Sequence, residues 1–435
     1  LDPRTESRTG GECREPYHRR VLPRVVIVGG GFGGVATARG LEGRADVVLI
    51  SEVNYLLFTP MLAEVAAADV DPRHILTPIR DMCRRTRLVV GRVVSVDGSK
   101  RSVVVRSPID GTETAYSGDA LVIATGSDSA TYGIPGVAEH TMAFRTIGDA
   151  LSIRHRLLGL LDDADARPRP DATTVAIIGA GAAGAELSAA LADFLRRTTR
   201  RYFPSAPEPR VILIDAIDRV LPQLPKRASV KASRALRRRK VEMGLGRRVI
   251  AVLPGVVILD GDMRVEAATI VWAGGIRGRQ VPGKPGAAPG ADGRYVVDDH
   301  LRIAPGVWGL GDVVRYPDGH GGISPPTAQH ALRQGAYLGR NLPALLRGEV
   351  VAPFRYRTMG ELVSLGHRSA VGRVLGVTVS GFLGWFLWRS YYLFRLPGML
   401  RRIRVAFDWT LDLVFPPDVA DPATAGRGPD LGESA

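Results

Sequence analysis

The 435-residue sequence predicts an α/β fold built from two β-α-β units, the second inserted into the first, with a C-terminal module of different composition. Three observations carry this expectation. An apolar β-branched run, a glycine loop and an alanine-rich helical pattern occur at residues 24–41 (RVVIVGGGFGGVATARGL) and again at 174–191 (TVAIIGAGAAGAELSAAL). Each repeat is followed by a second apolar run ending in acid, VVLISE to Glu52 and RVILID to Asp215. From Val351 onward the composition shifts to aromatic residues, glycine and arginine.

Composition sets the outer limits. Hydrophobic residues make up 45% and charged residues 23%, ordinary globular values that exclude a mainly disordered chain. Two cysteines, Cys13 and Cys83, exclude a disulfide scaffold, a four-cysteine zinc site and a paired-cysteine redox centre. The net charge is +14, and 53 of the 58 basic residues are arginines. GC-rich codon usage accounts for part of that excess, so placement decides whether the charge serves an anionic surface.

In order along the chain, residues 1–23 are polar and read as a disordered leader without a secretory signal. Residues 24–145 form the first part of the first domain. Within it, RLVVGRVVSVD and RSVVVRS flank Asp97-Gly98 and read as an antiparallel hairpin. ALVIATGSDS reads as a buried strand running into a glycine turn. Residues 147–163 are helical in pattern and 164–172 resemble a linker. The second domain spans 146–292 and closes with TIVWAGG, which carries Gly274. Residues 293–348 return to the first domain through VWGLGDV and a long helix. Residues 349–417 form the C-terminal module, and 418–435 a disordered tail.

The glycine loops carry the first chemistry. Gly29, Gly31 and Gly34 stand in G-x-G-x-x-G register between a strand and a helix. Such glycines permit a tight turn, close approach of a pyrophosphate and close helix–strand packing, while the helix N-terminus offers aligned N–H dipoles. Glu52, 18 residues past Gly34, suits ribose hydroxyls. Gly179, Gly181 and Gly184 repeat the pattern, with Asp215 following 31 residues on because LADFLRRTTRRYF prolongs the helix. Two Rossmann-like dinucleotide sites suggest FAD in one and a nicotinamide cofactor in the other. Thr125 and Gly126 end a strand leaving the first unit. Farther on, Gly311 permits close backbone approach and Asp312 is placed to accept from a ribityl hydroxyl.

The C-terminal module raises a membrane question. Between Arg373 and Arg389 lie 15 uncharged residues, fewer than the roughly 20 that a span needs. Beyond them Trp385, Phe386, Trp388, Tyr391, Tyr392 and Phe394 interleave with Arg389 and Arg395. Arg401, Arg402 and Arg404 then precede Phe407, Trp409 and Phe415. Mixed aromatics and arginines suit an anionic headgroup boundary. An ordinary packing or dimer surface is the competing reading. No nucleic-acid-binding module holds the arginines, so no nucleic-acid partner is expected.

Loops in this order resemble the two-dinucleotide-binding-domain flavoproteins and, more narrowly, the type II NADH dehydrogenases, single-chain NADH:quinone oxidoreductases. Four segments carry the closer match: NYLLFTPML with Pro60, GAGAAGAEL with Glu186, SPPTAQHALRQG with Ala328, Gln329 and Arg333, and the C-terminal SGFLGWFLWRSYYLFRLPGMLRRIRVAFDWTLDLVF. The match covers about residues 25–415. It implies FAD as cofactor and NADH as substrate, with hydride transfer to the flavin. Two-electron reduction of a quinone near Ala328 and Gln329 would follow, without proton pumping. It further implies Glu186 near the junction of nicotinamide and flavin, a peripheral place on the cytoplasmic face of the membrane, and an assembly that could be a homodimer.

The chain departs from the resembled pattern in three places. Its acid is Glu52 rather than a residue at Ser51; Ala190 stands where a second glutamate is common; and Arg333, followed by Gln334, stands where glutamine is usual. Gln329 and Arg333 are four apart on a helix and so share a face. A cation there would favour a developing quinol anion; otherwise Arg333 turns to solvent and Gln334 takes its place. An NAD(P)H-dependent reductase of a soluble acceptor or redox protein remains the alternative activity, and a slowly turning sensor flavoprotein the non-enzymatic one. Flavin disulfide reductases and sulfide:quinone oxidoreductases are disfavoured because both need cysteines this chain lacks. Cys83 reads as a plain semi-buried thiol. His330 and His367 stand isolated, so no metal site is expected.

Overall fold

A computed structural model of the chain describes residues 22–318, 322–356 and 360–420. The expected leader up to residue 21, with Cys13, and the expected tail beyond residue 420 lie outside these. Two parallel sheets organise the rest. In the first, the strands run in the order Arg302–Ala304, Val307–Gly309, Ala120–Ile123, Arg24–Val28, Asp46–Ser51, Arg87–Val90. All neighbours are parallel except Arg302–Ala304 against Val307–Gly309. Every residue of Ala120–Ile123 is buried, as near-continuous apolar runs are when both faces of a sheet are covered. Val307–Gly309 pairs with Ala120–Ile123, so the chain does return to the first sheet after the second unit. The returning helix Ala328–Leu346 packs along Phe32–Leu41, and Gly40 meets Gly339 where their backbones touch.

The second sheet has the order Met142–Ala143, Thr269–Trp272, Thr174–Ile178, Arg210–Asp215, Glu242–Leu245, all parallel. Met142 and Ala143 pair with Val271 and Trp272, so the chain has already crossed before the expected boundary at 145/146. A two-residue strand carries no periodicity that could have marked it. The helix Ile147–Ala166 opens on a capping box between Thr146 and Asp149 and runs into the stretch expected as linker.

One expected hairpin is divided. Arg92–Asp97 and Ser102–Arg106 do pair antiparallel around Asp97-Gly98. Arg87–Val90, read as part of the same hairpin, instead extends the parallel sheet beside Asp46–Ser51. The chain changes sheets at Gly91.

The C-terminal module is a three-stranded antiparallel sheet, Gly360–Ser364, Ala370–Val374 and Val377–Ser380, followed by the helices Gly381–Arg395 and Met399–Asp412. It is fused to the body: Trp388, Leu396, Val405 and Trp409 are buried in one core with the helices Leu62–Ala66 and Ala182–Tyr202. This corrects the expectation that all its aromatics meet headgroups. Trp388 and Trp409 face inward, whereas Phe382, Phe386, Phe394 and Phe407 face outward. No helix of the described residues is long and apolar enough to cross a membrane.

Candidate active site

The two glycine loops are geometric twins. Gly29 has φ +116° and Gly179 φ +112°, in the region L side chains avoid. A Cβ on Gly29 would collide with the Ala124 carbonyl, and one on Gly179 with the Ala273 carbonyl, just before Gly274. A Cβ on Gly34 would strike the Gly29 carbonyl, and one on Gly184 the Gly179 carbonyl. Gly31 and Gly181 cap the two following helices and face open space. Each loop is therefore closed behind and open in front, where helix N–H groups point. That is the cradle a pyrophosphate needs.

A cavity of about 1320 Å³ starts at the first loop, more than the usual 300–1,000 Å³ of a single small-ligand site. Gly29, Gly31 and Glu52 line its outer end; Thr125, Gly126, Gly311 and Asp312 its middle; Pro60, Ala328, Gln329 and Tyr392 its inner end. Ala182, Ala183 and Glu186, from the helix that follows the second loop, close one side. Gly34 packs behind the loop. Gly179, Gly181, Gly184, Asp215 and Gly274 form a separate group at the second loop. There Asp215 accepts from the backbone N–H of Ala180 at 2.5 Å and of Ile217 at 2.8 Å.

Hydrogen bonds fix this cavity through residues the sequence did not single out. Arg279 bridges Glu52 at 3.2 Å and Asp128 at 2.7 Å, and its carbonyl accepts from Thr125 Oγ1 at 2.6 Å. Asp312 accepts from Ser127 Oγ at 2.8 Å, and that hydroxyl accepts in turn from Arg145 Nη2 at 2.8 Å. Gln334 is buried, and its Oε1 accepts from the Gly311 N–H at 2.7 Å. Gln334 therefore secures the Gly311-Asp312 turn and does not stand in for Arg333. Open glycine cradles, helix N-termini and nearby arginines fit an anionic dinucleotide, so FAD suits the first loop.

At the inner end, Tyr356 Oη donates to Gln329 Oε1 at 3.1 Å, and Gln329 Nε2 donates to the Gly360 carbonyl at 3.4 Å. Arg333, expected to share this wall, does not: it is exposed, with its guanidinium 5.5 Å from the Tyr356 ring centroid. Leu332 lines the cavity instead. Outside, the fixed cation keeps water and an aromatic face and avoids the cost of desolvation. His330 is buried against Thr327 Oγ1 at 2.8 Å, and burial lowers its pKa, so it is neutral.

Residues 23–335 match the pyridine nucleotide-disulphide oxidoreductase family. Over 414 residues the chain is 30% identical to a probable NADH dehydrogenase of Dictyostelium discoideum, covering 91% of each. It is 31% identical to the type II NADH:quinone oxidoreductase NdhA of Mycobacterium tuberculosis, covering 90% of this chain and 87% of that one. The chain belongs to the type II NADH dehydrogenases. Its fold agrees: NDH2 of Plasmodium falciparum, solved in complex with NADH, superposes with a TM-score of 0.84 at 17% identity, covering 92% of this chain and 99% of that one.

This type II NADH dehydrogenase has a second polar feature beside the large cavity. Glu186 accepts from the Ser364 N–H at 2.9 Å. Burial pushes its carboxyl up to about 8; the Ser364 N–H opposes this, and the charges of Glu361 and Glu64 add to it. Glu64 lies on a helix buried all round and accepts from Trp409 Nε1 at 3.0 Å. Burial pushes Glu64 up to about 7, opposed by Arg389 and by the Trp409 bond, and helped by Asp69 and Asp412. Arg389, expected among headgroups, is held between the rings of Trp385 and Trp409 at 4.3 and 4.5 Å.

His367 is not isolated, contrary to expectation. Its Nε2 lies 3.3 Å from Asp412 and 3.8 Å from Asp69. Arg197 binds both carboxylates at 2.9 Å, so an ion-pair network occupies oxygens that a cation would need. Burial resists protonation of His367, but the hydrogen bond and charge of Asp69 and the charge of Asp412 outweigh it and raise the pKa. Cys83 is buried, and burial pushes its thiol up to about 11, so it is inert.

Proposed function

We propose that this type II NADH dehydrogenase oxidises NADH through bound FAD and passes two electrons to a membrane quinone. The carrying observation is the continuous cavity, which joins the first loop, the second-unit helix at Glu186 and the Gln329 end. Bound FAD would supply the chemistry, accepting a hydride and handing on an electron pair. Gly29 and Gly31 hold its pyrophosphate against the helix N-terminus, Glu52 its adenosine ribose and Asp312 its ribityl chain. Gly181 and Asp215 hold the adenosine end of NADH. Ala182 and Ala183 leave room for its nicotinamide to enter the large cavity beside Glu186. Gln329, held by Tyr356, presents an amide to the quinone head near Ala328 and Pro60. Positioning and exclusion of water are the protein's contribution.

Both electron-transfer steps use one cavity, so the proposed reaction pumps no protons. The outward Phe382, Phe386, Phe394 and Phe407, with exposed Arg395 and Arg404 among them, favour a peripheral contact with an anionic membrane. NADH supply would place that contact on the cytoplasmic face. Anaerobic titration of the detergent-purified protein tests the reading. NADH should bleach the flavin, quinone should restore it, and mass spectrometry of the released cofactor should find FAD. Restoration by soluble acceptors but not by quinone would instead establish the soluble-acceptor reductase.

A further inference from the structure

The chain crosses between its two units twice, and the crossings lie side by side. Ser127–Ser129, leaving the first unit, pairs antiparallel with Ile276–Gly278, which returns from the second. Arg279 directly follows the returning strand. Its backbone is held from both sides: the N–H donates to the Gly126 carbonyl at 3.0 Å, and the carbonyl accepts from Thr125 Oγ1 at 2.6 Å. The residue is thus fixed beside the turn at the middle of the large cavity. From there its side chain reaches the outer end, where Nη1 meets Glu52 Oε2 at 3.2 Å and Nε meets Asp128 Oδ1 at 2.7 Å. The Arg279 and Glu52 side chains are 42% and 55% exposed, so this bridge stands at the mouth of the cavity. Ion pairs that exposed contribute little to folding. What the bridge can do is restrict passage between the mouth and the glycine loop.

Atom by atom, the bridge leaves room for a ligand. Glu52 uses Oε2 for Arg279, and among the described residues no hydrogen bond engages its Oε1. That oxygen remains to accept from ribose hydroxyls. Arg279 uses Nε and Nη1, and its Nη2 keeps its donors. Its charge also offsets two carboxylates that would otherwise repel a diphosphate arriving at the loop. The second loop is the contrast. Its acid, Asp215, gives both oxygens to backbone N–H groups of its own unit, and among the described residues no cation pairs with it. Arg219 is turned to the carbonyls of Pro222 and Leu224. NADH has to enter and leave that site at every turnover, whereas FAD stays through all of them. Of the two sites, the resident cofactor's carries the bridge.

We propose that Arg279 is a cofactor-retaining residue, whose ion pairs with Glu52 and Asp128 form a clasp that closes the mouth over the adenosine of FAD and slows its release. The inference rests on the FAD reading above. Glu52 Oε1 holds the ribose while Oε2 holds the arginine, so one carboxylate serves cofactor and clasp together. The adenosine in turn keeps water from the ion pair and strengthens it. Because Arg279 comes from the segment returning out of the second unit, the clasp also ties that segment to the strand end of the first.

The test follows the regain of flavin fluorescence as detergent-purified holoenzyme releases FAD after dilution. Arg279→Ala should release FAD roughly fivefold faster than wild type. Arg279→Lys keeps the charge but cannot grip two carboxylates with one planar fork, so it should fall between the two. It also keeps the comparison available if the alanine variant does not fold. Added salt should speed release from the wild type more than from Arg279→Ala. Glu52→Gln retains an acceptor for the ribose and loses the ion pair; in that background Arg279→Ala should add less than about twofold. Arg277→Ala removes the same charge from an exposed position on the same ribbon and should release FAD at the wild-type rate. The clasp is overturned if Arg279→Ala releases FAD no faster than wild type. It is equally overturned if its effect is undiminished in Glu52→Gln, or if Arg277→Ala matches it. A released cofactor other than FAD would instead fail the FAD reading itself, which the wild-type protein alone reveals.

Discussion

Replacing Glu64 by glutamine should change how stability depends on pH, independently of any turnover. Folding raises this carboxyl from its ordinary value near 4.5 to about 7. The native state therefore binds the proton more tightly than the unfolded chain. The stability this group contributes is complete below pH 4.5, falls as pH rises toward 7, and then levels off. A displacement of that size corresponds to about 3 kcal/mol. Glutamine keeps an acceptor for Trp409 Nε1 but cannot titrate. Urea unfolding of wild type and Glu64→Gln, followed by tryptophan emission and flavin release, should be run at pH 5 and pH 8. Between those points the wild type should lose about 2.5 kcal/mol more than the variant. A constant cost of the substitution, such as a poorer bond to Trp409, cancels in this difference. Parallel pH dependences in the two proteins would refute the assignment of a buried, mostly neutral Glu64.

Three further outcomes follow from the geometry. Asp215 should repel a 2′-phosphate, and Arg219 is occupied by the carbonyls of Pro222 and Leu224. Steady-state kinetics should therefore favour NADH over NADPH, Asp215→Ala should narrow the gap, and equal kcat/KM values in the wild type would contradict this. Phe394 is 72% and Phe407 61% exposed, so Phe394→Glu with Phe407→Glu should abolish sedimentation with anionic vesicles while NADH still bleaches the flavin. Retained binding would move the membrane contact elsewhere; deleting the two helices would be a poorer test, since it removes Trp388 and Trp409 from the core. Arg333→Gln should alter quinone kcat/KM less than about threefold, because an exposed cation–π contact is worth about 0.5–1 kcal/mol. A tenfold change would return Arg333 to the reacting end of the cavity.

The glycine loops and the acids after them were legible because their constraints are local. A turn that only glycine permits, an apolar run before it and a helix after it lie within about 20 residues, the span of one β-α-β unit. Asp215 ends, and Glu52 directly follows, a strand whose burial the same runs announce. Gln329 was legible through resemblance, and Arg333 was misplaced through it, since a shared helix face does not say how far a long cation reaches. Arg279 and Arg145 gave no signal, because their partners are assembled only where the two domains meet; Gln334 was read as a substitute for Arg333, since nothing local shows that its amide turns back to the Gly311 N–H.

Glu64 shows the limit most clearly. It sits in NYLLFTPMLAEVAAA as a lone acid in an apolar stretch, and its hydrogen-bond partner Trp409 is 345 residues away. The C-terminal helices were read by composition, where Trp388 and Phe386 look alike. Their periodicity separates them: Gly384 and Trp388, then Val405 and Trp409, are buried pairs four residues apart, each marking the inward stripe of its helix. Arg389 follows Trp388 directly and is drawn inward between the rings of Trp385 and Trp409. A charge in an otherwise apolar interior needs compensation, and the compensating groups here come from helices at opposite ends of the chain. The same folding step that buries the aromatic stripe therefore assembles the Glu64–Arg389 pair, which is why a sequence that displays its nucleotide loops openly gives no separate sign of that pair.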